Sequence, residues 1–129
     1  MGGNLTLITS ILGTEGSVDY KGRILFFEDV HVVPYEADRY ITQLKNAGIF
    51  TQVVGVIVGQ LSWASPVDPA QEFTLRELLE THVKPFGIPC YCGAQIGHIK
   101  EQFTIPFGIE VEMDADACSF SLLEQPLNK

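Results

Sequence analysis

Gly22-Arg23-Ile24-Leu25-Phe26-Phe27-Glu28-Asp29 is the stretch around which the fold is arranged. A glycine followed by a short run of Ile, Leu and Phe is the pattern of a buried strand. A strand that is apolar on both faces belongs in a parallel sheet covered on both sides. The apolar run stops at two carboxylates, so the strand is expected over 23–27, ending abruptly at Glu28-Asp29. A helix follows. Pro34 suits a first helical position, Ala37, Tyr40, Ile41 and Leu44 fall on one face, and Gly48 closes the segment. Val53 to Val58 repeats the buried-strand pattern, with Gly59 as its end. Strand, helix, strand requires a right-handed crossover and parallel pairing.

Upstream, Leu5, Ile8 and Leu12 predict a short helix from Asn4 to Leu12, capped by Asn4 and stopped near Gly13; residues 14–22 read as loop. Downstream, 62–73 reads as loop, and Thr74 with Glu77 forms a capping box that opens a third helix. The apolar face of that helix is Leu75, Leu78, Leu79 and Val83. Strands are expected over 88–91, 102–105, 109–113 and 118–123, the last two joined as a hairpin by Asp114-Ala115-Asp116. Pro85-Phe86-Gly87-Ile88 and Pro106-Phe107-Gly108-Ile109 share turn chemistry rather than marking a duplication. The expected class is α/β, with a parallel sheet and an additional antiparallel layer.

The chain has 129 residues, 46% hydrophobic and 19% charged, which fits a single domain with a real core. Its formal charge is −8, and six acidic side chains with no Lys or Arg lie between Glu101 and Glu124. Such a surface repels phosphate backbones, so nucleic acid is not an expected partner. The longest apolar runs are too short to cross a bilayer, and no signal peptide is legible; a soluble cytoplasmic protein, not associated with membrane, is expected. Cys90, Cys92 and Cys118 are odd in number and suggest no disulfide framework. Cys90 and Cys92 would share one face of a strand, and a metal site drawing on them with Cys118, His82 or His98 is conceivable. The single-residue gap is poor for zinc, so buried, reduced cysteines packing as small apolar residues are expected.

Glu28 and Asp29 stand at the carboxyl end of a buried strand, where α/β sheets place functional groups; acidic residues also simply bring a strand out into water. His98 follows Gly97, whose permissive backbone lets the imidazole be aimed into a cleft. Histidine serves as a base near neutral pH and works best with a carboxylate on its other nitrogen. Either Glu28 or Asp29 suits that place if the two loops converge. His82 falls in the last turn of the third helix, where it complements the helix dipole, and His31 follows Asp29 in a loop. A nucleophile is missing. None of Ser10, Ser17, Ser62, Ser65, Ser119 and Ser121 sits in a Gly-x-Ser-x-Gly elbow, and no cysteine has a basic neighbour to activate it.

Gly2-Gly3-Asn4-Leu5-Thr6, Ile24-Leu25-Phe26-Phe27-Glu28-Asp29-Val30, Asp38-Arg39, Gln43-Leu44 and Ala47-Gly48 resemble, in order, the C-terminal half of the LD-carboxypeptidases. These are the murein tetrapeptide carboxypeptidase or microcin-immunity serine peptidases. Gly59, Thr74-Leu75, Gly87-Ile88-Pro89, Gly97-His98 and Thr104-Ile105-Pro106-Phe107-Gly108 continue the match. The resemblance implies a C-terminal domain of the swivelling β/β/α type. Its partner would be the protein's own N-terminal flavodoxin-like domain, which carries the nucleophilic serine and is expected to be absent from this chain. It further implies that Glu28 and His98 complete a serine–histidine–glutamate triad cleaving the amide bond before a terminal D-amino acid in murein peptides. No metal or organic cofactor is implied. His31 falls at a variable family position and receives no role. An alternative keeps the triad and hydrolyses microcin-type adducts; another is a non-enzymatic module that binds a partner domain or peptide. A domain separated from its partner exposes an apolar interface, so a homodimer is expected.

Overall fold

The Ile24–Val32 segment is the second of four parallel strands laid side by side in chain order. The computed structural model describes residues 1–64, 66, 68 and 73–127. In chain order the elements are β1 (Gly2–Asn4), α1 (Leu5–Ile11), β2 (Ile24–Val32), α2 (Pro34–Asn46), β3 (Gly55–Trp63), α3 (Leu75–His82), β4 (Cys90–Cys92), β5 (Val111–Asp114) and β6 (Ser119–Leu122). Short 3₁₀ turns at Ile49–Thr51 and Lys84–Phe86 follow α2 and α3. β5 and β6 form a separate antiparallel hairpin.

Side chains alternate across a strand, and β2 shows what each face meets. Leu25 and Phe27, both fully buried, share one core with Val56 and Val58 of β3, Leu5 and Ile8 of α1, Ala37, Ile41 and Leu44 of α2, and Leu78 of α3. Ile24 and Phe26 face the other way, toward a smaller cluster of Ile57, Tyr91, Ala94 and Ile96 closed by Ile105, Met113 and Phe120. The helices therefore cover one face, and the segment after β4 with its hairpin covers the other. Truncating Phe27 would cost about 3–5 kcal/mol, the usual range for a buried aromatic.

The helix starts follow the sequence. Asn4 Oδ1 accepts the Leu7 N–H at 3.1 Å, capping α1. Thr74 Oγ1 accepts the Glu77 N–H at 3.3 Å, and the Glu77 carboxylate accepts the Thr74 N–H at 2.8 Å. The Thr74 N–H and the Thr74 hydroxyl, which donates to the same carboxylate at 2.8 Å, hold the Glu77 carboxyl below its ordinary range.

The strands differ from expectation in several places. β1 is a short addition: Gly2-Gly3-Asn4 pairs with Phe26-Phe27-Glu28. A Cβ on Gly2 would collide with the Phe26 carbonyl, so only glycine permits that approach. β2 does not stop at Phe27 but continues to Val32, because β3 runs beside it beyond Gly59 to Trp63 and supplies partners for Asp29 and Val32. The register is irregular between Phe27 and Asp29 and again between Asp29 and Val32. Ser62 is consequently in a strand, and the rest of the predicted 62–73 loop, Ser65 included, lies partly outside the described residues. The fourth strand is shifted to 90–92, and 102–105 is not a strand, though the Phe103 N–H is donated to Gln95 O at 2.8 Å. The expectation of buried cysteines holds partly for half-buried Cys90 and fails for Cys92 and Cys118. Cys92 ends β4, which pairs with β3 alone among the described residues, and Cys118 lies in the hairpin turn with a left-handed backbone. Among the described residues no helix is long and apolar enough to cross a membrane.

Candidate active site

The two carboxylates that follow Phe27 serve different ends. Asp29 turns toward the start of α1, where it accepts hydrogen bonds from Asn4 Nδ2 (2.7 Å), Thr6 N–H (3.0 Å), Thr6 Oγ1 (2.7 Å) and the Val30 N–H (2.8 Å). Each oxygen is doubly occupied, and the carboxylate seats the first turn of α1 against the sheet. It has no remaining call on a histidine.

Glu28 turns to the opposite face and is only 6% exposed. It lies between Asn4, its register partner on β1, and Gly59 in the middle of β3. A Cβ on Gly59 would collide with Ile96 O and stand 3.1 Å from Glu28 Cβ. One on Gly97 would stand 2.8 Å from Glu28 Oε2. Two absent side chains thus leave room for the carboxylate and for the loop after β4 to cross the sheet end. That loop delivers His98, whose Nδ1 is 2.8 Å from Glu28 Oε2.

An ionised carboxylate only accepts hydrogen bonds. In the neutral imidazole, the tautomer that satisfies this contact holds its proton on Nδ1 and leaves the lone pair on Nε2. The His98 side chain is 57% exposed while that of Glu28 is 9% exposed, so the acid is shielded and the base faces outward. Such an arrangement has the geometry that an oriented general base requires. Of the two candidate carboxylates, the fold brings Glu28 to His98 and keeps Asp29 away.

The remaining histidines do other things. His31 is exposed at a β2 irregularity with φ 56°, its N–H donated to Ser62 Oγ at 3.0 Å. His82 does more than complement a helix dipole. It is buried, and its Nε2 lies 2.7 Å from Asp38 Oδ1, tying α3 to α2. Burial, followed by the neighbouring Cys92, pushes the Cys90 thiol up to about 11, which makes it a poor nucleophile near neutral pH. Among the described residues, no three His, Cys, Asp or Glu side chains gather as a metal site would need. The residues least visible in sequence are Gly59 and its neighbour Gln60. Gly59 reads as the end of a strand, whereas its use is the space it leaves beside Glu28.

A profile of the LD-carboxypeptidase C-terminal domain matches residues 1–113. The chain belongs to this family. It is 36% identical over 114 residues to a probable murein peptide carboxypeptidase of Bacillus subtilis, covering 88% of this chain and 36% of that protein. Among solved structures, it matches a muramoyltetrapeptide carboxypeptidase from Oxalobacter formigenes with a TM-score of 0.75 and 32% identity, over 84% of this chain and 38% of that one. It also matches MccF in complex with glutamyl sulfamoyl guanosine, with a TM-score of 0.85 and 27% identity, over 99% of this chain and 38% of that one. The LD-carboxypeptidase C-terminal domain thus spans well under half the length of these relatives. The profile covers the sheet, the His98 loop and most of β5, while β6 lies beyond the matched residues.

Proposed function

We propose that this domain supplies the base and the orienting acid of a serine carboxypeptidase whose nucleophile is carried by an N-terminal domain. The observation that carries the reading is the 2.8 Å contact between His98 Nδ1 and Glu28 Oε2, with the ring exposed on its other side. In the proposed mechanism, His98 Nε2 removes the proton of the serine hydroxyl as Oγ attacks the scissile carbonyl. The imidazolium then returns that proton to the departing amine, leaving an acyl-enzyme. Water attacks the ester by the same proton relay and frees the serine. Glu28 keeps the proton on Nδ1 and stabilises the imidazolium throughout.

The substrate proposed is a murein tetrapeptide, cleaved at the amide bond before its terminal D-amino acid. The names of the Bacillus and Oxalobacter relatives support that class. The match to MccF, solved with an aminoacyl sulfamoyl nucleoside, supports a second reading in which the same triad hydrolyses a microcin-type adduct. Loops around the site, not the triad, would separate the two.

Release of D-alanine from a murein tetrapeptide by a protein joining this domain to its serine-bearing domain tests the proposal. Glu28→Ala or His98→Ala should each lower kcat by about 10³-fold or more. Near-normal turnover in either variant removes the assignment. The 129-residue chain assayed alone should release none.

A further inference from the structure

Glu28 is fixed by its strand, but His98 belongs to no helix or strand. It rides on the segment after β4, which has a positive-φ glycine at each end: Gly93 with φ 89° and Gly97 with φ 125°. Glycine gives a backbone little intrinsic stiffness, so the path of 93–97 is set by what it is tied to. On one side, the Gly93 and Ala94 N–H groups are both donated to Val58 O, at 3.0 and 3.2 Å. On the other side, Gln95 O accepts the Phe103 N–H at 2.8 Å, and three further ties run to one residue. Gln60 donates its side-chain Nε2 to Gly93 O and Ala94 O, both at 3.3 Å, and its backbone N–H to Ile96 O at 2.9 Å. Three carbonyls of the segment thus hang from Gln60, immediately before Gly97-His98.

The chemistry of this tie is specific. Both side-chain partners are carbonyl oxygens, so the amide must present its NH₂ end to them. Gln60 is half-buried within β3, beside the glycine that makes room for Glu28. A displacement of the reacting groups by about 1 Å is enough to cost on the order of 10²-fold in rate, and the Glu28–His98 contact depends on where this segment places Nδ1.

We propose that Gln60 is a positioning residue for the base: its side-chain amide fixes the Gly93–Gly97 segment so that His98 Nδ1 meets Glu28. The inference rests on the reading of Glu28 and His98 as a working pair, and it can fail while that reading stands.

The test uses the ¹⁵N-labelled 129-residue chain, with the ring nitrogens of His98 observed by NMR in wild type, Glu28→Gln, Gln60→Met and Gln60→Glu. Met keeps the length of Gln and removes its donors. Glu keeps the shape and turns a carboxylate toward two carbonyls. Amide signals from the α1–α2 core report that each variant is folded, and Gln60→Glu, the closer isostere, serves if Gln60→Met does not fold. The wild type should show two distinct ring nitrogens, with the proton fixed on Nδ1. Both Gln60 variants should move them toward the averaged values of a free imidazole, Gln60→Glu further, with Glu28→Gln as the reference for loss of the contact. Unchanged ring nitrogens in both Gln60 variants, alongside a clear change in Glu28→Gln, would overturn the role of Gln60 and leave the pair intact. No change in Glu28→Gln would overturn the pair and the role of Gln60 together.

Discussion

A glycine at 97 does two things that no other residue does as cheaply. Its φ of 125° lies where L side chains rarely go, and its missing Cβ leaves the 2.8 Å that Glu28 Oε2 occupies. Gly97→Ala should therefore lose about 1–3 kcal/mol of stability through backbone strain alone. It should also displace Glu28 from His98. Thermal unfolding measures the first effect and the His98 ring nitrogens the second; an alanine variant with wild-type values in both would show that the crowding is not there. The cysteines give a simpler residue-level contrast. Thiolate is the reactive form, and the Cys90 thiol, pushed up to about 11 by burial and then by Cys92, is almost wholly protonated at a pH of about 8. Cys92 and Cys118 are exposed. Iodoacetamide followed by peptide mass mapping should find those two modified well before Cys90, and equal rates at all three would contradict the burial of Cys90.

Between elements, β2 distributes consecutive carboxylates to the two faces of one sheet. Asp29 holds α1 through Asn4 and Thr6, and hydrogen bonds to a charged group are each worth about 1.5–3 kcal/mol. Asp29→Ala leaves those donors without their acceptor and should destabilise the domain by about 3 kcal/mol or more, since the bonds are not additive. Hydrogen exchange should quicken first in residues 5–11, while the Glu28–His98 contact persists. If exchange in α1 is unchanged, Asp29 does not seat that helix. The same division explains why spacing alone leaves the acid open between Glu28 and Asp29, and why the family resemblance is needed to point to Glu28. Adjacent positions in a strand are equally close to a loop along the chain and differ only in the face they take. Which face meets the His98 loop is settled when the segment after β4 packs across the sheet, opposite the helices.

For the whole molecule, apolar side chains remain in the open on several sides: Leu7 is 65% exposed, Tyr35 67%, Phe103 54% and Phe107 55%. Exposed apolar surface favours association, and a homodimer remains our proposal for the isolated chain. Sedimentation should give a weight-average mass rising above 14.2 kDa with concentration; a constant monomer mass at high concentration removes the proposal. The sequence by itself determined the parallel strand–helix order, the caps of α1 and α3, the terminal hairpin, and Glu28 and His98 as residues worth pairing. All of these are written in short-range terms: apolar period, cap chemistry, turn residues and the order of family motifs. The tertiary structure decided the rest. β1 carries no apolar signal and exists only because Gly2 lets the chain reach Phe26. The ends of β2 and β3 were set by each other, since backbone groups beyond the apolar run find partners only in a neighbouring strand. The contact that joins Glu28 to His98, the cleared space at Gly59 and Gly97, and the ties from Gln60 depend on residues from 28 to 98 meeting across the sheet. Such contacts are fixed by packing across the sheet, which no local pattern of residues records.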